Sequence, residues 1–70
     1  MDRKSVASSN ISSIGYDDKR LILEVEFVWG AIYQYSNIPG EVASDLMCAN
    51  SKGRYFNDHI RGRYLFRRVQ

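Results

Sequence analysis

Cysteine, histidine and proline each occur once in this chain of 70 residues, and the five glycines are isolated from one another. A lone Cys48 excludes an internal disulfide, and with His59 as the sole imidazole there is no ligand set for a structural zinc ion. Scattered glycines exclude the Gly-rich loop that cradles phosphates in nucleotide hydrolases and dinucleotide enzymes. There is no long apolar run and no pattern of a secretory leader, so the chain reads as a reduced, soluble, cytoplasmic protein with no membrane partner. No metal and no cofactor are expected, and no nucleophile, base and orienting group line up into a known catalytic motif.

The length bounds the core as tightly as these absences bound the chemistry. A chain of this size buries only about 60% of the surface that its unfolded form exposes. Without disulfide or metal staples, self-association is the expected supplement, and a homo-oligomer is anticipated.

Charge is unevenly spread along the chain. Residues 1 to 50 hold four basic residues against seven acidic ones, whereas residues 51 to 70 hold six basic residues against Asp58 alone. The C-terminal segment therefore carries a local positive field suited to phosphate or carboxylate partners.

Hydrophobic patterning predicts one α+β domain over residues 8–70, preceded by a mobile arm over 1–7 in which no apolar periodicity exists. Ile11 and Ile14 suggest a short first strand that ends in a turn near Asp17 and Asp18. Leu21, Leu23, Val25 and Phe27 alternate with Ile22, Glu24 and Glu26, the period of a strand with one buried face. A third strand over Ala31 to Ser36 follows a tight turn. A two-residue turn would set Tyr33 and Tyr35 opposite Glu26 and Glu24. A three-residue turn with Gly30 as a bulge sets them opposite Val25 and Leu23, on the apolar face, and is the preferred register.

Pro39 and Glu41 suit the start of a helix whose buried face is expected at Val42, Leu46 and Ala49, with Cys48 buried and inert. Ser51 is a cap for a second helix that runs to about Arg61 before Gly62, with Phe56 and Ile60 turned inward and Arg54, Asp58 and Arg61 outward. Tyr64, Phe66 and Val69 suggest a last strand or a docked tail. The expected architecture is a small antiparallel sheet of three to four strands with two short helices packed on one face.

Arginine outnumbers lysine five to one in the last twenty positions, and aromatic residues are interleaved with it. Planar guanidinium forks grip phosphate bidentately, and flat rings between cations hold bases. The candidate ligand-binding residues are Ser51, Lys52, Arg54, Tyr55, Asn57, Arg61, Arg63 and Tyr64. Trp29 in the hairpin turn, with Tyr33 and Tyr35, is a candidate stacking platform or subunit contact, unless Trp29 folds back over its own sheet. His59 is read as structural, and the alternative pairs it with Asp58 in a hydrolase.

The run Ser9, Asn10, Ile11 with Gly15 and Tyr16, the YxY pair Tyr33 and Tyr35, and above all SKGRYFNDHIRGRY from Ser51 to Tyr64 resemble the KTSC domain family. The likeness covers residues 8 to 69. Relatives more often carry a polar turn residue where this chain has Trp29. The family takes its name from a segment at the C-terminus of some lysyl-tRNA synthetases and also has free-standing members in bacteria and phages. The resemblance implies a compact α+β domain and an RNA-binding association, with no synthetase activity.

Two binding functions and one enzymatic function emerge. The favoured expectation is a non-enzymatic binder of a small anionic nucleotide, with a cyclic dinucleotide signal held by a homo-oligomer as the specific form. An RNA-binding accessory module is the alternative. One patch beside an acidic half suits a ligand with one or two phosphates better than a long strand.

Overall fold

A computed structural model describes residues 1–70. In chain order the elements are β1 (Lys4–Ser5), β2 (Ile11–Asp17), β3 (Ile22–Phe27), β4 (Ile32–Tyr35), α1 (Gly40–Cys48), α2 (Lys52–His59) and β5 (Phe66–Arg68). The strands form one sheet in the order β1-β2-β3-β4-β5, every neighbouring pair antiparallel. Both helices are inserted between β4 and β5. The α+β class holds, with five strands where three to four were expected.

The last strand suggested by Tyr64, Phe66 and Val69 is β5, and the strand not expected is β1, at the opposite edge, where pairing depends on main-chain groups and leaves little trace in apolar periodicity. Lys4 and Ser5 pair with Ile14 and Ser13, so residues 1–7 are not the free arm that their composition suggests. Gly15 explains how the chain gets there. A Cβ at Gly15 would strike the carbonyl oxygen of Asp2, so only glycine lets the N-terminal segment cross the sheet at that point.

The β3–β4 hairpin takes the bulged register. Tyr33 stands opposite Val25 and Tyr35 opposite Leu23. The Phe27 amide donates to the Ala31 carbonyl at 2.9 Å across a three-residue turn, and Gly30 has φ +99°, a backbone region open to glycine. At the other end of β3 the alternation starts later than expected. Leu21 has φ +57° and is exposed, because it closes a turn in which the Asp17 carboxylate accepts from the Lys19 and Arg20 amides at 3.0 and 3.1 Å.

Ile11, Ile14, Leu23, Val25, Phe27 and Tyr35 from one sheet face meet Ala43, Leu46, Phe56 and Ile60 from the helices, with Ile38 between them. Pro39 caps α1 from outside the helix instead of occupying its first turn. The buried stripe of α1 is Ala43 and Leu46, with Val42 and Met47 at its margin, because Ala49 is already extended beyond the helix end. That rotation turns Cys48 to the surface, against the expectation of a buried thiol. In α2 the Ser51 hydroxyl accepts from the Arg54 amide at 3.3 Å, as its capping role requires. The helix stops at His59, two residues short of expectation, and Gly62 turns the chain away with φ +77°.

The opposite sheet face is polar and joined side to side. Arg3 pairs with Glu24 and donates to the Ser13 hydroxyl at 2.9 Å, Ser13 donates to Glu26 at 2.8 Å, and Gln34 donates to Glu24 at 2.8 Å. Glu24 is only 6% exposed. Burial pushes its carboxyl up, but the hydrogen bonds from Gln34 and Arg3 and the Arg3 charge outweigh this and hold it below the usual carboxylate value. The stabilisation from Glu24 is therefore complete above the unfolded carboxylate pKa and is lost as pH falls through the lower folded value. Arg3→Ala should cost about 1–3 kcal/mol, because it leaves a buried carboxylate short of partners. The measurement is the urea midpoint at neutral pH, and an unchanged midpoint would remove the N-terminal segment from the folding unit.

Candidate functional site

Where the helices leave the β3–β5 side of the sheet uncovered, the bulged hairpin and the C-terminal strand turn a set of rings to one face. Tyr33, Tyr35 and Phe66 cluster with centroid separations of 5.5–6.4 Å. Phe27 adds an edge contact to Tyr33 at 5.7 Å, and Phe56 of α2 sets its edge against Phe27 at 5.5 Å and Tyr35 at 5.2 Å. Trp29 folds back from the turn and stacks on Phe27 at 4.7 Å with an interplanar angle of 11°. It nevertheless stays 67% exposed, so packing on its own sheet and presenting a free aromatic surface coexist.

These rings floor a trough of about 490 Å³, a volume in the range of small-molecule sites. Its other wall is polar and comes from α2 and the turn after it. Gly53 and Asn57 lie one turn apart on α2, and Arg61 follows in the turn after it, so the wall runs from bare backbone through a carboxamide to a guanidinium. Asn10, immediately before β2, sits beside Gly53 on the same wall.

Arg61 differs from the other arginines of the chain. Arg3 pairs with Glu24, Arg20 with Asp17 and Arg54 with Asp58. Arg63 donates to the Asp58 carbonyl, Arg67 to Gln34 on the far sheet face and Arg68 to the Gln70 carbonyl. Arg61 alone makes no ion pair or side-chain hydrogen bond within the protein.

Tyr35 lies 5% exposed in the floor. Burial pushes its phenol up to about 12, the neighbouring Tyr33 acts in the same direction, and the Arg61 charge pulls the other way. The phenol therefore remains a neutral hydrogen-bond donor at any physiological pH. Because the folded value exceeds the unfolded one, the stability linked to Tyr35 is complete below about pH 10 and is lost as pH rises through about 12. Alkaline denaturation of the wild type and of Tyr35→Phe should show that loss in the wild type alone; equal alkaline limbs would refute the buried, neutral phenol.

The candidate residues of the C-terminal segment do not all converge. Asn57 and Arg61 join Trp29, Tyr33 and Tyr35 at the trough. Ser51, Arg54 and Tyr55 line a shallower surface with Asn50, Asp58 and His59, where the His59 ring lies 4.4 Å from that of Tyr55. Lys52 bends back to donate to the Ala49 carbonyl at 3.1 Å, and Tyr64 packs half-buried against the core. Asn10, Phe27, Gly53, Phe56, Gly62 and Phe66 line the trough without having been expected there. The four-residue spacing of Gly53, Asn57 and Arg61 was available in the sequence; the approach of Asn10 was not.

The fold and the trough define a small α+β domain in which a five-stranded meander, backed by two helices, carries an open aromatic surface beside a polar helix wall. The chain belongs to the KTSC domain family, whose model matches residues 7–64. It is similar to the crystal structure of a KTSC domain protein from Yersinia pestis, with a TM-score of 0.94, 41% sequence identity, and coverage of 99% of this chain and 97% of that one. A protein of Stutzerimonas stutzeri is 49% identical over 57 residues, which span 81% of this chain and 80% of that protein. A lysine–tRNA ligase of Nostoc punctiforme is 38% identical over 61 residues, 87% of this chain but 11% of the ligase. No helix is long and apolar enough to cross a membrane.

Proposed function

We propose that this domain binds, without chemical conversion, a small nucleotide-type ligand whose base stacks in the aromatic trough and whose phosphate meets Arg61. The observation that carries the reading is the coincidence of two features. The one arginine with no internal partner stands on the wall of a trough rimmed by the exposed Trp29 and Phe66 and the half-buried Tyr33. Base–aromatic stacking contributes about 1–3 kcal/mol per base, and a charge-assisted hydrogen bond to phosphate contributes comparably. A single free guanidinium matches a ligand with one or two phosphates, including one half of a cyclic dinucleotide.

The lysine–tRNA ligase relatives favour a second reading, in which the ligand is an RNA segment. The remaining arginines are engaged internally and spread over several surfaces, which gives a long phosphate backbone no continuous track. Self-association, expected from the small core, has a candidate surface in the exposed Leu65, Phe66 and Val69 along β5, and sedimentation of the free protein tests it.

Trp29 is the only tryptophan and lines the trough, so its fluorescence reports occupancy directly. Titration with nucleoside monophosphates and cyclic dinucleotides should give saturable quenching. A flat response to the whole panel would overturn the reading. Binding of oligoribonucleotides alone, with a steep loss in salt, would transfer it to RNA.

A further inference from the structure

The outer edge of the sheet at β5 is unpaired. β5 is last in the strand order and pairs with β4 alone. The alignment with β4 continues past its three residues, because the Ser36 amide donates to the Leu65 carbonyl at 2.9 Å and the Val69 amide to the Ile32 carbonyl at 2.8 Å. Those bonds turn the main-chain groups of Leu65 and Val69 inward. By antiparallel alternation the N–H and C=O of Phe66 and Arg68 point outward, with no strand to meet them. The side chains alternate as well. Phe66 and Arg68 stand opposite Tyr35 and Tyr33 on the trough face, and Arg67 stands opposite Gln34 on the polar face, between the exposed Leu65 and Val69.

The charge along this edge decides what fits it. Arg63, Arg67 and Arg68 rest on neutral acceptors, the Asp58 carbonyl, the Gln34 carboxamide and the Gln70 carbonyl, and none of the three has a carboxylate partner. Charged side chains on an exposed edge oppose pairing between copies. In a twofold pairing of β5 with β5, the Arg67 and Arg68 of both copies would lie along one seam, and like charges facing each other there are destabilising. An acidic strand meets the opposite field and is held by the same residues.

We propose that β5 is a docking edge for an extended acidic segment of a partner protein, which adds to the sheet as a further antiparallel strand. Main-chain bonds to Phe66 and Arg68 supply the pairing, and the side chains select the sequence. Read from its amino end, the segment sets one acidic residue opposite Arg68 and the next opposite Arg67. An apolar residue then falls opposite Phe66, where it extends the cluster that Phe66 makes with Tyr33 and Tyr35. The pattern recognised is acid, acid, apolar.

The test uses the whole chain and a dye-labelled peptide of about six residues, the length of an average strand, with two glutamates and a phenylalanine in that order at its centre. Fluorescence anisotropy should show saturable binding, and lysine in place of the first glutamate should weaken it about fivefold. Arg68→Glu should reverse that preference and take the lysine peptide over the original. Arg68 is exposed and its side chain bonds only the Gln70 carbonyl, so the fold survives the exchange. N-methylation of the first glutamate or of the phenylalanine, whose amides face β5, should abolish binding. The same change at the second glutamate, whose amide faces away, should leave affinity within about twofold. Equal loss at all three amides, or indifference to the lysine exchange, would overturn the docked strand. Absence of binding would overturn it as well, and a dimer in sedimentation would then assign the edge to a second copy.

Discussion

Phe56→Ala is expected to remove about 3–5 kcal/mol of stability, the usual cost of deleting a buried phenylalanine. Phe56 is 3% exposed and is the ring through which α2 grips the sheet, with its edge against both Phe27 and Tyr35. Marginal stability of about 0.05–0.15 kcal/mol per residue gives a domain of this size roughly 3.5–10 kcal/mol, so that loss is a third of the total or more. The variant should therefore show a strongly lowered urea midpoint by circular dichroism. Phe56→Leu, which keeps most of the volume, should remain folded with a lowered midpoint. An unaltered midpoint for the alanine variant would mean that α2 is held by something other than this ring.

Arg61→Ala should separate stability from function in the opposite way. Its side chain is exposed and unpaired, so the unfolding midpoint should move by no more than about 0.5 kcal/mol. Affinity for a nucleoside monophosphate should fall by about 1.5–3 kcal/mol, roughly tenfold to a hundredfold and more, because a charged hydrogen bond to phosphate is lost. Arg61→Lys should recover part of the loss, since a point charge replaces a planar fork. Arg54→Ala is the matched control: that guanidinium lies 3.8 Å from the Asp58 carboxylate on the neighbouring, shallower surface. Its affinity should stay within about twofold of the wild type. A loss for Arg54→Ala equal to that for Arg61→Ala would move the phosphate to the start of α2 and away from the trough.

The parts of the fold that were legible in the sequence are those that periodicity controls. Two-residue alternation located β3, and the polarity of Glu24 and Glu26 was enough to choose the bulged register that puts Tyr33 and Tyr35 on the apolar face. Ser51, Phe56, Ile60 and Gly62 marked the second helix by capping chemistry and four-residue spacing. What escaped depends on contacts distant in sequence. Lys4 and Ser5 are strand residues because of what Ile14 and Ser13 offer them, and Arg3 is ordered by a carboxylate 21 residues away. The phase of α1 slipped because Ala49 completes the apolar pattern on paper yet lies past the helix end.

The candidate site divides along the same line. Composition favoured a convergent arginine patch, but successive arginines on a helix, a turn and a strand point to different surfaces, and most find partners there. Arg63 reaches the Asp58 carbonyl and Arg67 reaches Gln34. Which guanidinium remains free depends on acceptors from the whole fold, and a linear pattern does not contain that information. Phe27 and Phe56 line the trough floor from within the core, and only Phe66, on the last strand, is left uncovered there by the two helices.

The crossing of Asp2 over Gly15 determines how the molecule can be handled. It occurs on the side of the sheet that bears Arg3 and Glu24, while the ring-lined surface opens on the reverse. A purification tag or surface anchor joined ahead of Met1 is thereby tethered behind the sheet, out of an incoming ligand's way. One attached after Gln70 would hang from the carbonyl that clamps Ile32 and tug on the outermost strand. Immobilised assays should be anchored by the leading end.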